Sequence, residues 1–314
     1  MIKLSMNRQN WKMLLLCLTA PLVFTACGGG SGGGGGSSTA DTTAPAATPG
    51  RMPDTNQTMS YTNTIGEDHD YTINPPSYTD NGNGTVTDNV TGFVWQKQDD
   101  GVSKTWADAG TYCDASTLGG YSDWRLPSLI ELISIIDNGV HSPSINKTFF
   151  PGTISSGYWS STTYQSIAWS VIFGSGYPSD AYTYFSGYYV RCVRGGQTTP
   201  SLTDNGNGTV TDSGTLLTWQ QGENPAMTWE AALSNCEGLS LAGSTDWRLP
   251  NQKELLSLVY NPSINMTFFP GSSGSNYWSS TTVASSTSFA WRMGYPYDNI
   301  KTGSGYVRCV RGGQ

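Results

Sequence analysis

The sequence predicts an α+β protein of two tandem domains, each with two helices, a run of short antiparallel strands and one disulfide. Three observations carry this prediction. Long strings recur once each, at a spacing greater than that of a solenoid repeat: TDNGNGTVTD at Thr79–Asp88 and Thr203–Asp212, DWRLP at Asp123–Pro127 and Asp246–Pro250, YWSSTT at Tyr158–Thr163 and Tyr277–Thr282, and YVRCVRGGQ at Tyr189–Gln197 and Tyr306–Gln314. Each copy passes from helix-cap signals to aromatic and β-branched runs broken by glycine. Each copy also holds two cysteines in matching places.

The chain opens with Lys3, Arg8 and Lys12 ahead of an apolar run, Met13–Phe24, that is too short to span a bilayer comfortably. It ends in Phe24-Thr25-Ala26-Cys27. Residues 1–26 therefore read as an export signal, and the ending resembles a bacterial lipoprotein signal. The departure is Phe24, where Leu or Val is usual, and an ordinary secretory signal is the alternative. The resemblance implies that Cys27 carries a lipid anchor. Gly28 in place of Asp implies retention at the outer membrane, so the predicted location is the cell envelope, surface-exposed. Residues 27–70, which run GGGSGGGGGSSTADTTAPAATPG from Gly28 to Gly50, are predicted to be a flexible tether, because such a segment cannot bury enough apolar surface to offset its ordering entropy. The domains then occupy 71–197 and 198–314, with Thr198–Ser201 as the joint.

Within each copy, DNGNG supplies the positive-φ residues of a tight turn and T-V-T continues as a strand. A calcium loop from Asp80, Asn81, Asn83 and Asp88 is the sharper alternative, but the EF-hand spacing and its terminal Glu are missing. Thr105 is placed to cap a helix from Trp106 that carries Cys113; Thr228 and Cys236 repeat this. After WRLP, Ser128 and Glu131 form a capping box ahead of an apolar face of Leu129, Leu132, Ile133 and Ile136. Asn251 and Glu254 take the same roles before Leu255, Leu258 and Val259. YWSSTT, AWSVIFG and GYYVRCVR read as antiparallel strands. In an exported chain the matching cysteines predict Cys113–Cys192 and Cys236–Cys309, each closing a loop worth about 4 kcal/mol in the chain-entropy model. No metal or cofactor site is predicted, since His69 and His141 are the only histidines and neither recurs.

Taken together, the DNGNGTVTD hairpin, the Thr-Trp helix with its Cys, DWRLP before a helix, YWSST and the closing VRCVR resemble the DUF1566, or Lcl C-terminal domain, family over about Tyr71 to Gln314. That resemblance implies a C-type lectin-like fold, more distantly similar to the formylglycine-generating enzymes. It implies that DWRLP is structural, with Trp124 and Trp247 in the core and Arg125 and Arg248 paired internally. The calcium–sugar strings Glu-Pro-Asn, Gln-Pro-Asp and Trp-Asn-Asp are absent, so that mechanism does not carry over. The enzyme activity does not carry over either, because both cysteines of each copy are assigned to disulfides.

Between YWSSTT and VRCVRGGQ the copies diverge in length and chemistry. Variable segments on a held scaffold are where binding is usually built, and this one has the Tyr, Ser, Gly and Asn content of a paratope. The candidate ligand residues are Tyr164, Tyr177, Tyr182 and Tyr184 in the first copy, and Arg292, Tyr295, Tyr297, Asp298 and Asn299 in the second. Aromatic packing beneath a surface loop is the alternative. Trp169 and Trp291, in a shared Ala-Trp context, are expected in the core. The formal net charge of −7, about −10 without the signal, disfavours nucleic acid and polyanionic sugars. The expectation is a non-enzymatic surface lipoprotein binding an extracellular glycan or protein in adhesion or recognition. The alternatives are a structural envelope component and an enzyme.

Overall fold

The computed structural model describes residues 51–313, apart from 186, 197–200, 261–262, 275 and 295–296. Cys27 and Tyr295 lie outside the described residues, as do the signal and the glycine-rich run. The described residues fall in one compact unit, and no helix among them is long and apolar enough to cross a membrane.

The first copy contains β1 (Tyr78–Asp80), β2 (Thr85–Asp88), β3 (Val94–Gln96), α1 (Trp106–Asp114), α2 (Leu129–Ser134), β4 (Gly157–Tyr164), β5 (Ile167–Ile172), β6 (Tyr177–Tyr182) and β7 (Val193–Arg194). The second contains β8 (Leu202–Asp204), β9 (Thr209–Asp212), β10 (Leu217–Gln220), β11 (Asn224–Met227), α3 (Trp229–Glu237), α4 (Gln252–Ser257), β12 (Val259–Tyr260), β13 (Ser263–Ile264), β14 (Tyr277–Thr282), β15 (Phe289–Met293), β16 (Asp298–Ile300), β17 (Gly305–Val307) and β18 (Val310–Gly312). In each copy the opening strands form a small antiparallel sheet closed by the last strand, in orders β1-β2-β3-β7 and β18-β10-β9-β8. The ends of each domain thus meet. A second sheet carries the long hairpins, in orders β4-β5-β6 and β11-β17-β14-β15-β16, and β12 pairs with β13 separately.

The local expectations explain these elements. Tyr78 pairs with Asp88 across the DNGNG turn, where Gly82 and Gly84 take φ of +73° and +85°. Ser128 and Asn251 each close a full capping box with Glu131 and Glu254. Leu129, Leu132, Ile133, Ile136, Leu255 and Leu258 are buried. Cys113–Cys192 and Cys236–Cys309 are bonded, one disulfide per domain.

Four expectations need correction. Thr228 occupies the cap position, yet its side chain makes no cap hydrogen bond, unlike Thr105, which accepts from Asp108 N–H. Val259 belongs to β12 and not to the helix before it. The closing string is not one antiparallel strand: β17 runs parallel to β14, the equivalent first-copy contact is a parallel bridge Tyr158–Tyr189, and only Val193–Arg194 closes the small sheet. The tether expected to reach residue 70 gives way to packed structure from Met52 onward. Asp54, Thr55, Gln57 and Asp68 are buried, and residues 51–71 lie as a strap along the second copy.

The two copies share a core. Leu256 of α4 belongs to the first copy's core cluster, with Leu132, Ile133 and Phe173 among its members. Lys253, fully buried beside it, donates to the carbonyls of Asp54 (2.8 Å) and Ser134 (2.9 Å). Gln252 donates to Gly176 O (3.2 Å) and is hydrogen-bonded by Asn138.

Candidate functional site

The repeated charges are used up inside the scaffold. Arg125 grips Glu131 through two bonds of 2.7 and 2.8 Å, and Arg248 grips Glu254 through two of 2.6 Å. These are the bidentate pairs that guanidinium geometry favours. Asp123 accepts from Arg194 (2.7 Å) and Asp246 from Arg311 (2.8 Å), so both ends of DWRLP are tied to the last strand or the helix cap. Arg191 donates to the carbonyls of Gln96 and Lys97, and Arg308 to those of Gln220 and Gly222. Trp124 and Trp247 are buried and donate to Leu118 O and Leu241 O. Most of the turn oxygens considered for calcium are engaged: Asp80 with Lys97 (2.6 Å) and Gly82 N–H, Asn81 with Thr87, Asn83 with Thr85, and Asp88 through Oδ1 with Val90 and Thr91 N–H. Among the described residues no group of three or more His, Cys, Asp or Glu is placed to hold a metal.

The divergent segments, by contrast, meet. A cleft of about 410 Å³ opens between the copies, with Tyr177 and Asp180 of β6 on one wall and Trp291, Tyr297 and Asp298 on the other. Tyr177 stacks on Tyr297 with centroids 5.6 Å apart and planes 22° apart, and lies 6.2 Å from the Trp291 ring. Such an offset arrangement suits the ring quadrupoles and presents a broad apolar platform. Ser175, Ser179 and Ser285 add hydroxyls around it. The size falls within the range of about 300–1,000 Å³ found for ligand pockets.

Local chain geometry sets Tyr177 in place. The β5–β6 register pairs Ile172 with Tyr177 across a turn ending at Gly176. Gly176 has φ of +77°, and a Cβ there would crowd Ser144 and Ile136. Its carbonyl is the one held by Gln252 of the second copy. The wall built by one copy is thus aligned by the helix of the other. Burial, then Asp180 and Tyr177, push the Tyr297 hydroxyl up to about 12. Burial also lowers the Arg292 guanidinium, while Asp298 opposes the shift.

The family model of the Lcl C-terminal domain matches residues 84–194 and 208–311. The chain belongs to the Lcl C-terminal domain family. It carries two tandem copies, and the matched regions include all four disulfide cysteines and both walls of the cleft. No curated protein matches the chain closely enough to add a relative. The strap lies ahead of the first Lcl C-terminal domain.

The structure divides the candidate ligand residues of the two Lcl C-terminal domains. It brings Tyr177, Tyr297 and Asp298 together in the cleft. Tyr164, Tyr182 and Tyr184 sit elsewhere on the first domain, exposed, with Tyr182 and Tyr184 stacked at 5.2 Å. Arg292 does not line the cleft, because it alternates with Trp291 along β15. Asn299 turns its side-chain oxygen to Ile300 N–H. Trp291 is buried as expected yet also forms cleft wall; Trp169 is only half-buried, packed against the first core. Asp180 and the three serines were missed. Their signal was present, since Ser175, Ser179 and Asp180 flank Tyr177 within the divergent segment, but their convergence with the second domain is a tertiary fact.

Proposed function

We propose that this chain is a cell-surface recognition protein that binds an extracellular glycan or polypeptide in the cleft between its two Lcl C-terminal domains. The observation that carries this reading is the convergence of both divergent segments on one aromatic platform, Tyr177, Tyr297 and Trp291. Stacked rings take the apolar face of a sugar or an apolar side chain, and the surrounding hydroxyls and carboxylates accept hydrogen bonds from a ligand that donates them. Asp180 and Asp298 favour a neutral or positively charged ligand over an anion. A C-type lectin-like fold, implied by the family resemblance, would suit a binding role, and the disulfide from the first helix to the closing segment of each domain is in keeping with it. A lipid on Cys27 would hold the protein at the outer membrane, with the glycine-rich run as spacer. The chain is read as non-enzymatic, because the carboxylates shared by the copies are held by turns, caps and arginines.

The test is a binding screen of the intact chain on a glycan array and on intact host cells. Saturable binding that falls about tenfold or more in Tyr297→Ala and in Tyr177→Ala, with thermal unfolding unchanged, is the expected result. Binding untouched by both substitutions would move the site elsewhere. Silence on both surfaces would favour a structural envelope component.

A further inference from the structure

The two Lcl C-terminal domains present the same seat, and among the described residues only one is covered. In the second domain the seat is built from Trp229 at the start of α3 and from Thr281 and Thr282 at the end of β14, all fully buried. The strap covers it. The Gln57 side chain accepts from Thr282 N–H (2.8 Å) and donates to Thr282 O (2.7 Å), so its amide acts as a neighbouring strand would. Thr281 accepts from Gln252 N–H and donates its hydroxyl to Asp68 (2.6 Å). Thr62 donates to Glu230, and Lys301 lies between the Trp229 and Tyr61 rings, 3.9 and 5.4 Å from their centroids.

Every seat residue has a counterpart in the first domain. Trp106 donates its indole N–H to Ser160 O as Trp229 does to Ser279 O, both at 2.8 Å. Thr162 accepts from Leu129 N–H (3.0 Å) as Thr281 does from Gln252. Trp106 N–H reaches Thr183 O as Trp229 N–H reaches Lys301 O. Here none of the described residues lies on top as the strap does. Trp106, Thr162 and Thr163 are half-buried, and the Thr162 hydroxyl proton has no acceptor among the described residues. In place of the strap there is an open groove of about 630 Å³, lined by Trp106, Ala107, Thr163, Gln165, Thr183 and Tyr184. Tyr184 is 75% exposed, Tyr182 54% and Phe185 44%. An uncovered strand edge beside exposed aromatics is what proteins normally avoid unless a partner uses it.

We propose that this groove on the first domain docks an extended polypeptide segment of a partner protein, of the kind the strap supplies to the second domain. The segment places an amide against the edge of β4 at Thr163, as Gln57 does at Thr282. It places a carboxylate to accept from Thr162, as Asp68 does from Thr281. Its apolar side chains pack between Trp106 and Tyr184. Strand-edge docking of this sort takes affinity from main-chain-type hydrogen bonds and specificity from neighbouring pockets, and Trp and Tyr are the residues enriched at such hot spots. The site is separate from the cleft and does not depend on what the cleft binds.

The test uses a fluorescent synthetic peptide with the sequence of residues 51–70, titrated into the intact chain, with hydrogen exchange read at both seats. Saturable binding is expected, with new amide protection over residues 160–164. Affinity should fall at least tenfold in Tyr184→Ser and in Ala107→Arg, both at exposed positions, with the unfolding midpoint kept. Peptides carrying the Gln57→Ala or Asp68→Asn change should bind more weakly. Absence of saturable binding overturns the proposal. So does protection confined to residues 279–283, which would mean that the peptide has displaced the chain's own strap.

Discussion

The two Lcl C-terminal domains differ least where they share letters and most where they face the strap and each other. The first has Ile130 where the second has Lys253, and an open Trp106 where the second buries Trp229. The shared letters build the helix cap, the arginine pairs and the disulfide in both. The difference teaches that duplication gave one scaffold two environments. The second domain became the base, locked under the strap and against its neighbour. The first kept an exposed edge and an exposed aromatic row.

The largest effect should come from breaking the same pair in both domains. Arg248 is 6% exposed and Arg125 20%. Removing one partner of a buried pair strands the other charge, at a cost of roughly 3–5 kcal/mol. Glu254→Ala should therefore lower stability by about that amount, and Glu131→Ala by clearly less, in urea melts of each variant. Equal losses would mean that solvent access does not separate the two domains.

Next is Lys253→Ile, which copies the first domain's residue into the second. It leaves the carbonyls of Asp54 and Ser134 without their donor, and an unsatisfied buried acceptor costs about 1–3 kcal/mol. A net loss of about 2 kcal/mol is expected. A neutral result would show that the lysine is dispensable to the interface. Gln57→Ala should cost about 1 kcal/mol and speed amide exchange at Thr282 specifically. Exchange at Thr163 should not change, because none of the described residues covers it.

A last comparison is a pH dependence centred on the strapped side. Burial first, then Asp54, raise the Asp68 carboxyl from 3.8 to about 7. The native state therefore holds this proton more tightly than the unfolded chain. The contribution is full below 3.8 and is lost as the pH rises toward 7. Burial lowers Lys253 from 10.5 to about 8, against the pull of Asp54 and Asp137. Its penalty is present below 8 and is relieved as the pH rises from 8 toward 10.5. Thermal midpoints of the wild type and Asp68→Asn from pH 4 to 7 check this. The variant should show a flatter slope, and parallel slopes would remove Asp68 as the source.

Much of the fold was legible because its signals are local. A capping box, an Asn-Gly turn and an amphipathic hexamer act within a few residues, so SLIELIS and NQKELLS declared their helices. Cysteine placement declared the bonds, since each copy holds one pair in matching places. The arginines of VRCVR were silent, because their partners lie 36 to 95 residues away. The strap was misjudged for a related reason. RMPDTNQTMS has no apolar periodicity, and it is ordered by single side chains meeting groups more than 200 residues distant.

By itself the sequence determined the duplication, the two-helix α+β unit, the disulfides and the segments free to diverge, because repeats, caps and turns are written in neighbouring residues. Only the tertiary structure decided that Tyr177 of one domain stacks on Tyr297 of the other, that Leu256 completes its neighbour's core, and that one of two equal seats is covered. Those facts depend on how two folded domains and the strap pack, and long-range packing between side chains leaves no periodic mark on the chain.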